Sequence, residues 1–351
     1  MLSPKYNFRK FLLLFCLFFS FSISLFANED SLADNHKKFD AGKLIMGHIM
    51  DHHEWHLWGS EEHPVSIPLP IILYNKEHGL SCFLSSRFEE GHASYSGYKI
   101  NEEGKIISED SSKFYDLSIT KNVMAIFISV AVLLFVFLSV AKAYTRRQDK
   151  APKGLQGAME MVIVFVRDDI AKAAIGEKKY ARFMPYLLTI FFFIWVNNLL
   201  GLIPIFPGGA NVTGNIAVPL TMAVFTLVIM MANSNKNYWR HIFAMPGVPI
   251  YVLPIITLLE VIGIFLKPFV LMVRLFANIM AGHIVVLVFF CLIFVAGEAS
   301  TGAGLGTAIP SVAFSIFINL LELLVGFLQA FVFTFLSAIY FGMATAEDTH
   351  H

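Results

Sequence analysis

The sequence predicts an all-α polytopic membrane protein of about five membrane helices. The last two form a long, tilted antiparallel hairpin, and a small extracytoplasmic N-terminal region precedes the membrane part. Three observations carry this reading. The 351 residues are 56% hydrophobic with a mean hydropathy of +0.64, well beyond an ordinary soluble core. Apolar runs of bilayer length alternate with short charged or turn-rich links. The two C-terminal runs are each too long to cross hydrocarbon upright.

Charge and cysteine usage exclude other classes. Twenty-six Lys and Arg balance 26 Asp and Glu, so no basic excess points to nucleic acid. Cys16, Cys82 and Cys291 fall in a leader, a polar segment and a span, and build neither a disulfide framework nor a zinc cluster. No cofactor is expected, and there is no P-loop for ATP.

The elements follow in order. Lys5, Arg9 and Lys10 precede the apolar run Phe11 to Phe26 and a small Ala27, the pattern of a signal peptide over 1–27. An uncleaved anchor is the other reading, and it delivers the next segment outside just the same. Residues 28–118 are polar and His-rich, with a hairpin expected over Tyr98 to Ile107 around Gly104 and extended chain near Pro64, Pro68 and Pro70. His48, His52 and His56 would line one face of a helix. Such a helix is read as solvated or lying on the membrane surface, and no metal site is expected.

The first span, Val123 to Ala143, lies in a 119–154 segment and runs into Lys142, Arg146, Arg147, Lys150 and Lys153, which makes that side cytoplasmic. Residues 155–179 hold a cytoplasmic surface helix, Leu155 to Ala174, with Glu160, Arg167, Asp168 and Asp169 among its apolar positions. Residues 180–248 hold two more spans, 183–203 and 212–231. Residues 249–345 form the hairpin, built from 250–295 and 308–341 and joined by the small-residue loop 300–306; 346–351 are a cytoplasmic tail. As straight helices the two arms would be about 70 and about 50 Å long, against hydrocarbon of about 30 Å.

The membrane part carries few polar groups, and their spacing is informative. Glu260, Lys267 and Arg274 recur every seven residues and share a helical face, with Asn278 close to it. Glu322 and Gln329 are again seven apart on the second arm. If Gln329 is level with Arg274, antiparallel arms put His283 about 13 Å and Glu322 about 10 Å from that level, both toward the outside, where imidazole and carboxylate can meet. Titratable groups then flank a permanent cation on two helix faces, the pattern of two offset half-channels separated by a charge barrier. Each group also has a structural reading: Glu260 with Lys267 as a boundary pair, Asn278 and Gln329 as interhelical hydrogen bonders, and His283 with Glu322 as a buried pair.

Arg274 cannot shed its proton, and holding it in hydrocarbon costs about 2.5–3.5 kcal/mol on insertion scales. Its own chain offers no acid at that level, so the counter-ion is expected from another protein. A carboxyl group facing lipid travels protonated; beside a fixed cation it ionises and releases its proton.

Arg274-Leu275-Phe276-Ala277-Asn278-Ile279-Met280-Ala281-Gly282-His283 and Leu328-Gln329-Ala330-Phe331-Val332-Phe333 resemble the signature of the subunit a family of F-type ATP synthases. The similarity runs from about Lys121 to Thr345 and includes Asn197-Asn198-Leu199-Leu200-Gly201-Leu202-Ile203-Pro204. The resemblance implies a non-catalytic proton-channel stator subunit of the bacterial inner membrane, with its N-terminal region outside and its C-terminus cytoplasmic. It implies the c-ring, the peripheral-stalk b subunits and the remainder of the synthase as partners within the lipid bilayer. By matching position, Arg274 would face the c-ring carboxylate, with Asn278 and Gln329 as polar neighbours. The outer titratable pair falls on His283 and Glu322, exchanged relative to some members, and Glu260 and Lys267 lie toward the cytoplasmic exit. The alternative is a stand-alone secondary proton or cation transporter, which usually shows inverted repeats; none is found. The resemblance carries over no role for the exterior region.

Overall fold

The computed structural model describes residues 40–60, 63–76, 79–91, 93–101, 104–110, 112–146, 150–203, 206–245 and 248–346. The expected signal peptide and, beyond Ala346, the expected tail lie outside these residues.

The polar region is richer in strand than a single hairpin. After helix α1 (Ala41–Ile49) come β1 (Glu54–Ser60), β2 (His63–Pro68), β3 (Pro70–Asn75), β4 (Gly79–Leu84), a 3₁₀ turn (Ser85–Gly91), β5 (Tyr98–Ile100), β6 (Ile106–Ser108) and β7 (Phe114–Asp116). β1 pairs with β2, β3 lies between β4 and β7, and β5 pairs with β6, all antiparallel. Prolines 64 and 68 are tolerated because β2 pairs on one side only. β3 alternates strictly: Ile71, Leu73 and Asn75 point inward, and the two apolar residues join Phe88, Tyr98 and Ile106 in a small core. The expected hairpin is there, with Ile100 opposite Ile106 and Gly104 at a left-handed φ of 74°.

The three histidines do not share a helix. α1 stops at Ile49, because His52 folds back and its Nε2–H donates to the Gly47 carbonyl at 2.6 Å, satisfying an end of the helix. His56 lies on β1 opposite Ser66.

The membrane part has helices α2 (Lys121–Arg146), α3 (Leu155–Phe165) running into a π-helical stretch (Val166–Lys172) and the short α4 (Ala173–Ile175), then α5 (Tyr180–Leu202), α6 (Ala217–Ala232), α7 (Lys236–Phe243), α8 (Leu253–Ala299) and α9 (Thr301–Thr345). Four of these, α2, α5, α8 and α9, are long and apolar enough to cross a membrane; counting α6 and α7, bent by 102°, as one span makes five. The amphipathic face of 155–175 meets protein: Val166, Ile170 and Ala171 are fully buried, and the Phe165 ring lies 5.7 Å from that of Phe331, tilted by 35°. Its charges gather on the open side, where Arg167 and Lys172 lie 2.7 and 2.8 Å from Asp168 and hold its carboxyl well below the usual range.

Two boundaries differ from the sequence reading. The third span begins at Ala217 instead of Val212. Asn211 Oδ1 accepts from Gly214 N and Asn215 Oδ1 accepts from Ala217 N, so side chains hold residues 211–216 in turns. The hairpin needs no loop over 300–306. Ser300 alone is the joint, its Oγ accepting from Ala303 N at 3.1 Å as an N-cap. Pro268 sits inside an unbroken α8 of 47 residues, about 70 Å long, and α9 has 45, so both arms outrun a bilayer.

Close to the joint, a Cβ on Gly304 would come 2.8 Å from Gly297 Cα, whereas one on Gly302 would meet nothing. Gly304→Ala is therefore expected to push the arms apart and destabilise the fold by about 1–3 kcal/mol, seen as a lower melting temperature. Gly302→Ala is expected to be neutral or mildly stabilising; equal losses at both positions would mean that the backbone contact does not matter.

The core lies where α5 and α8 pack on α9, around Leu187, Phe191, Ile194, Leu275, Ile279, Ala330, Phe333 and Phe341. The last turn of α9 is closed from outside itself: Asn235 N donates to Ala344 O, and Asn235 Nδ2 and Lys179 Nζ donate to Thr345 O.

Candidate functional site

On α8, Leu271, Leu275 and Ile279 recur every fourth residue on the buried side, and the next in that row is His283. On α9, Glu322, Gly326 and Ala330 form the matching buried row. The two rows bring His283 Nε2 to 3.7 Å from Glu322 Oε1. Gly282 makes room for this approach, since a Cβ there would come 2.8 Å from the same oxygen. The Glu322 side chain is 6% exposed and that of His283 20%. Neither carboxylate oxygen has a hydrogen-bond partner among the described residues. An isolated buried carboxylate is costly, so the imidazole beside it decides which protonation states are tolerated.

A cavity of about 10 Å³, space for about one water, opens beside the pair. It is lined by Asn197, Asn198, Gly201, Ala210, Asn211, Val212, Thr213 and Ile279 together with His283 and Glu322. An acid, a base and amide side chains around a water-sized space can hand a proton along.

Arg274 and Asn278 are set one residue back from the buried row, about 100° around the helix. Both are exposed. Leu266, Phe269, Val270 and Val273 on the same helix are exposed too, so the guanidinium emerges from an apolar surface. Among the described residues Arg274 forms no ion pair, and no hydrogen bond joins it to Asn278 or to the buried Gln329. The structure thus pairs Glu322 with His283 and leaves Arg274 apart from both. Among the described residues Glu260 and Lys267 form no salt bridge either: Lys267 Nζ lies 5.7 Å from the Tyr340 ring centre and 6.0 Å from that of Tyr238.

Residues 123–342, which contain all of these groups, match the family model described as ATP synthase A chain. The chain belongs to the ATP synthase A chain family. It is similar to ATP synthase subunit a 2 of Prosthecochloris aestuarii, with 46% identity over 242 residues covering 67% of this chain and 71% of that one. ATP synthase subunit a of Chloroherpeton thalassium is 43% identical over 244 residues, covering 67% and 69%. The subunit a of Myxococcus xanthus is 38% identical over 262 residues, covering 72% and 81%. Residues 44–124 match a second model, described as a domain of unknown function.

For an ATP synthase A chain, the sequence reading missed the amide bracket around the pair. Asn198 Nδ2 donates to Gly326 O at 3.0 Å, and Thr213 Oγ1 donates to Asn198 Oδ1 at 2.7 Å. This chain of bonds ties α5 and the loop before α6 to α9, one turn from Glu322. A buried asparagine pair in an apolar helix, Asn197-Asn198, was the available signal. Nothing local announced Thr213, which looks like the start of a span. Gly282 was visible only as a small residue beside His283.

Proposed function

We propose that this multi-pass membrane chain is the proton-channel stator of an F-type ATP synthase. In this reading it offers two offset half-channels to a ring of small membrane subunits, and Arg274 is the fixed charge that the ring's carboxylates meet. The observation that carries the proposal is the division of α8 into two faces. One buries His283 against Glu322; the other presents, on an apolar surface, a guanidinium with no ion pair among the described residues.

Basic residues at Lys142, Arg146, Lys179, Arg182, Lys236 and Arg240 put the ends of α2, α6 and α9 in the cytoplasm and the β unit outside. A proton from the exterior then reaches a ring carboxylate through the His283–Glu322 pair. The neutral acid turns through lipid, where desolvation keeps it protonated. On returning to the chain it meets the cytoplasmic side of Arg274, ionises, and gives its proton to an exit path flanked by Lys267 and Glu260. The arginine also bars direct leakage by repelling a proton in transit. Asn278 and Gln329 are the polar groups that take up the guanidinium's remaining donors as the acid passes. No bond to phosphate is made or broken in this chain; that chemistry, the c-ring, the peripheral-stalk b subunits and the rest of the complex are its partners.

Cysteine cross-linking tests the assignment. Ala277→Cys, on the exposed side beside Arg274, is expected to form disulfides with cysteines placed near the ring carboxylate in native membranes. Ala330→Cys, fully buried, is expected to form none. Cross-links from neither position, or from the buried one alone, would rule out the ring as the partner of this face.

A further inference from the structure

The histidines of the exterior β unit take no part in the path described so far, yet the unit stands against it. Helix α1 packs on α8, the helix that carries His283. Trp55, 2% exposed, is buried with Ala125, Ala210 and Val212, and the last two line the His283–Glu322 cavity. Its ring also meets Phe206 edge-on at 5.2 Å. The β unit therefore backs the loop that closes the cavity.

The junction with the membrane is pinned by named bonds. Lys121 N donates to His52 O at 2.9 Å, and Asn122 N donates to Asp51 Oδ1 at 3.0 Å. Together with the bond from His52 to Gly47 O, these hold the last turn of α1 to the first turn of α2. His48 occupies that turn. Its side chain is open to water, yet surrounding protein lowers its pKa by desolvation, and Lys121, His56 and His52 lower it further. The charges of His48 and Lys121 are in turn felt at His283. His48 is thus an exposed titratable side chain on the turn of α1 that is joined to α2.

We infer that the exterior β unit is the outer wall of the ion path and that His48, at its mouth, exchanges protons between external water and the His283–Glu322 pair. The inference rests on the channel reading above. Imidazole suits the task because it takes a proton on one ring nitrogen and releases one from the other, with no net change of its own. The titratable groups around it are Lys121, Asp51, His52, His56 and, inward, His283. The Lys121 charge beside His48 lowers its affinity for a proton.

The test uses inverted vesicles in which the full complex has assembled and from which the F1 part is then stripped, with passive proton flow measured per membrane sector. At low internal buffer, His48→Gln is expected to reduce flow about tenfold, short of the roughly 10²–10⁴-fold of a committed proton donor because water also reaches the mouth. Imidazole loaded inside the vesicles should restore it, and His48→Glu, which titrates, should conduct better than His48→Gln. Wild-type flow in His48→Gln at low buffer overturns the inference. So does a defect that imidazole leaves untouched and that His48→Glu shares, because that is the signature of a structural role. Glu322→Gln separates the two readings: if it conducts like wild type, the channel reading fails, and if it blocks flow while His48→Gln does not, the role of His48 alone fails.

Discussion

Arg274→Ala is expected to abolish proton-driven ATP synthesis and ATP-driven proton pumping while leaving the complex assembled. The residue is exposed and forms no ion pair among the described residues, so its removal opens no cavity and strands no buried partner. An alanine at this depth is also easier to insert, by about 2.5–3.5 kcal/mol on the translocon scale. On the proposed function the loss would come from the missing field: without a fixed cation, nothing favours ionisation of an acid arriving from lipid, and nothing stops protons from crossing between the proposed half-channels. Arg274→Lys is expected to fail as well. An ammonium on a flexible stem is a strongly hydrated point charge that reaches for water, and it lacks the planar fork that engages a carboxylate with two bonds. The measurement is fluorescence quenching by ATP-driven acidification of inverted vesicles, with assembly judged by the amount of bound F1. Coupling at the wild-type level in Arg274→Ala would end the proposal.

The second large effect concerns the pair. His283→Glu alone faces two carboxyl groups across this contact, and Glu322→His alone faces two imidazoles; each single variant is expected to lose most proton flow. Like charges in so small a buried space cannot both ionise, so one group of each new pair stays frozen in its neutral form. The double variant restores one acid and one base and is expected to conduct better than either single change. The recovery should be incomplete, because Gly282 is shaped around a carboxylate on α9 and an imidazole is bulkier. A double variant no better than its parents would show that the 3.7 Å contact is not a functional pair.

Much of this site can be read without coordinates. Spacings of seven and four gather Arg274 and Asn278 on one face, the longer step from Arg274 to His283 turns the imidazole roughly half a turn away, and antiparallel arithmetic brought His283 toward Glu322. These rest on local geometry that a long apolar helix obeys closely. The failures are equally physical. His48, His52 and His56 have helical spacing, but the helix ends at Ile49 once the His52 ring takes the Gly47 carbonyl. Gly302, Gly304 and Gly306 read as a loop by propensity. Near a membrane, backbone groups left unpaired cost several kcal/mol, and the helix continues through them. Val212 and Thr213 look like the first turn of a span, yet side chains of Asn211 and Asn215 hold that stretch in turns and leave Thr213 free to bond Asn198.

From its sequence alone this protein was bound to be a helical membrane chain with a cation and an acid–base couple on separate faces of an over-long hairpin. Bilayer thickness, helical pitch and the cost of charge in hydrocarbon impose that much on residues close together in the chain. Only the tertiary structure decided that Asn198 and Thr213 bracket the couple, that a single serine turns the hairpin, and that Trp55 of the β unit seats against Ala210 and Val212 at the cavity wall. Those contacts join residues far apart in sequence, and no local period or propensity records which distant surfaces will meet.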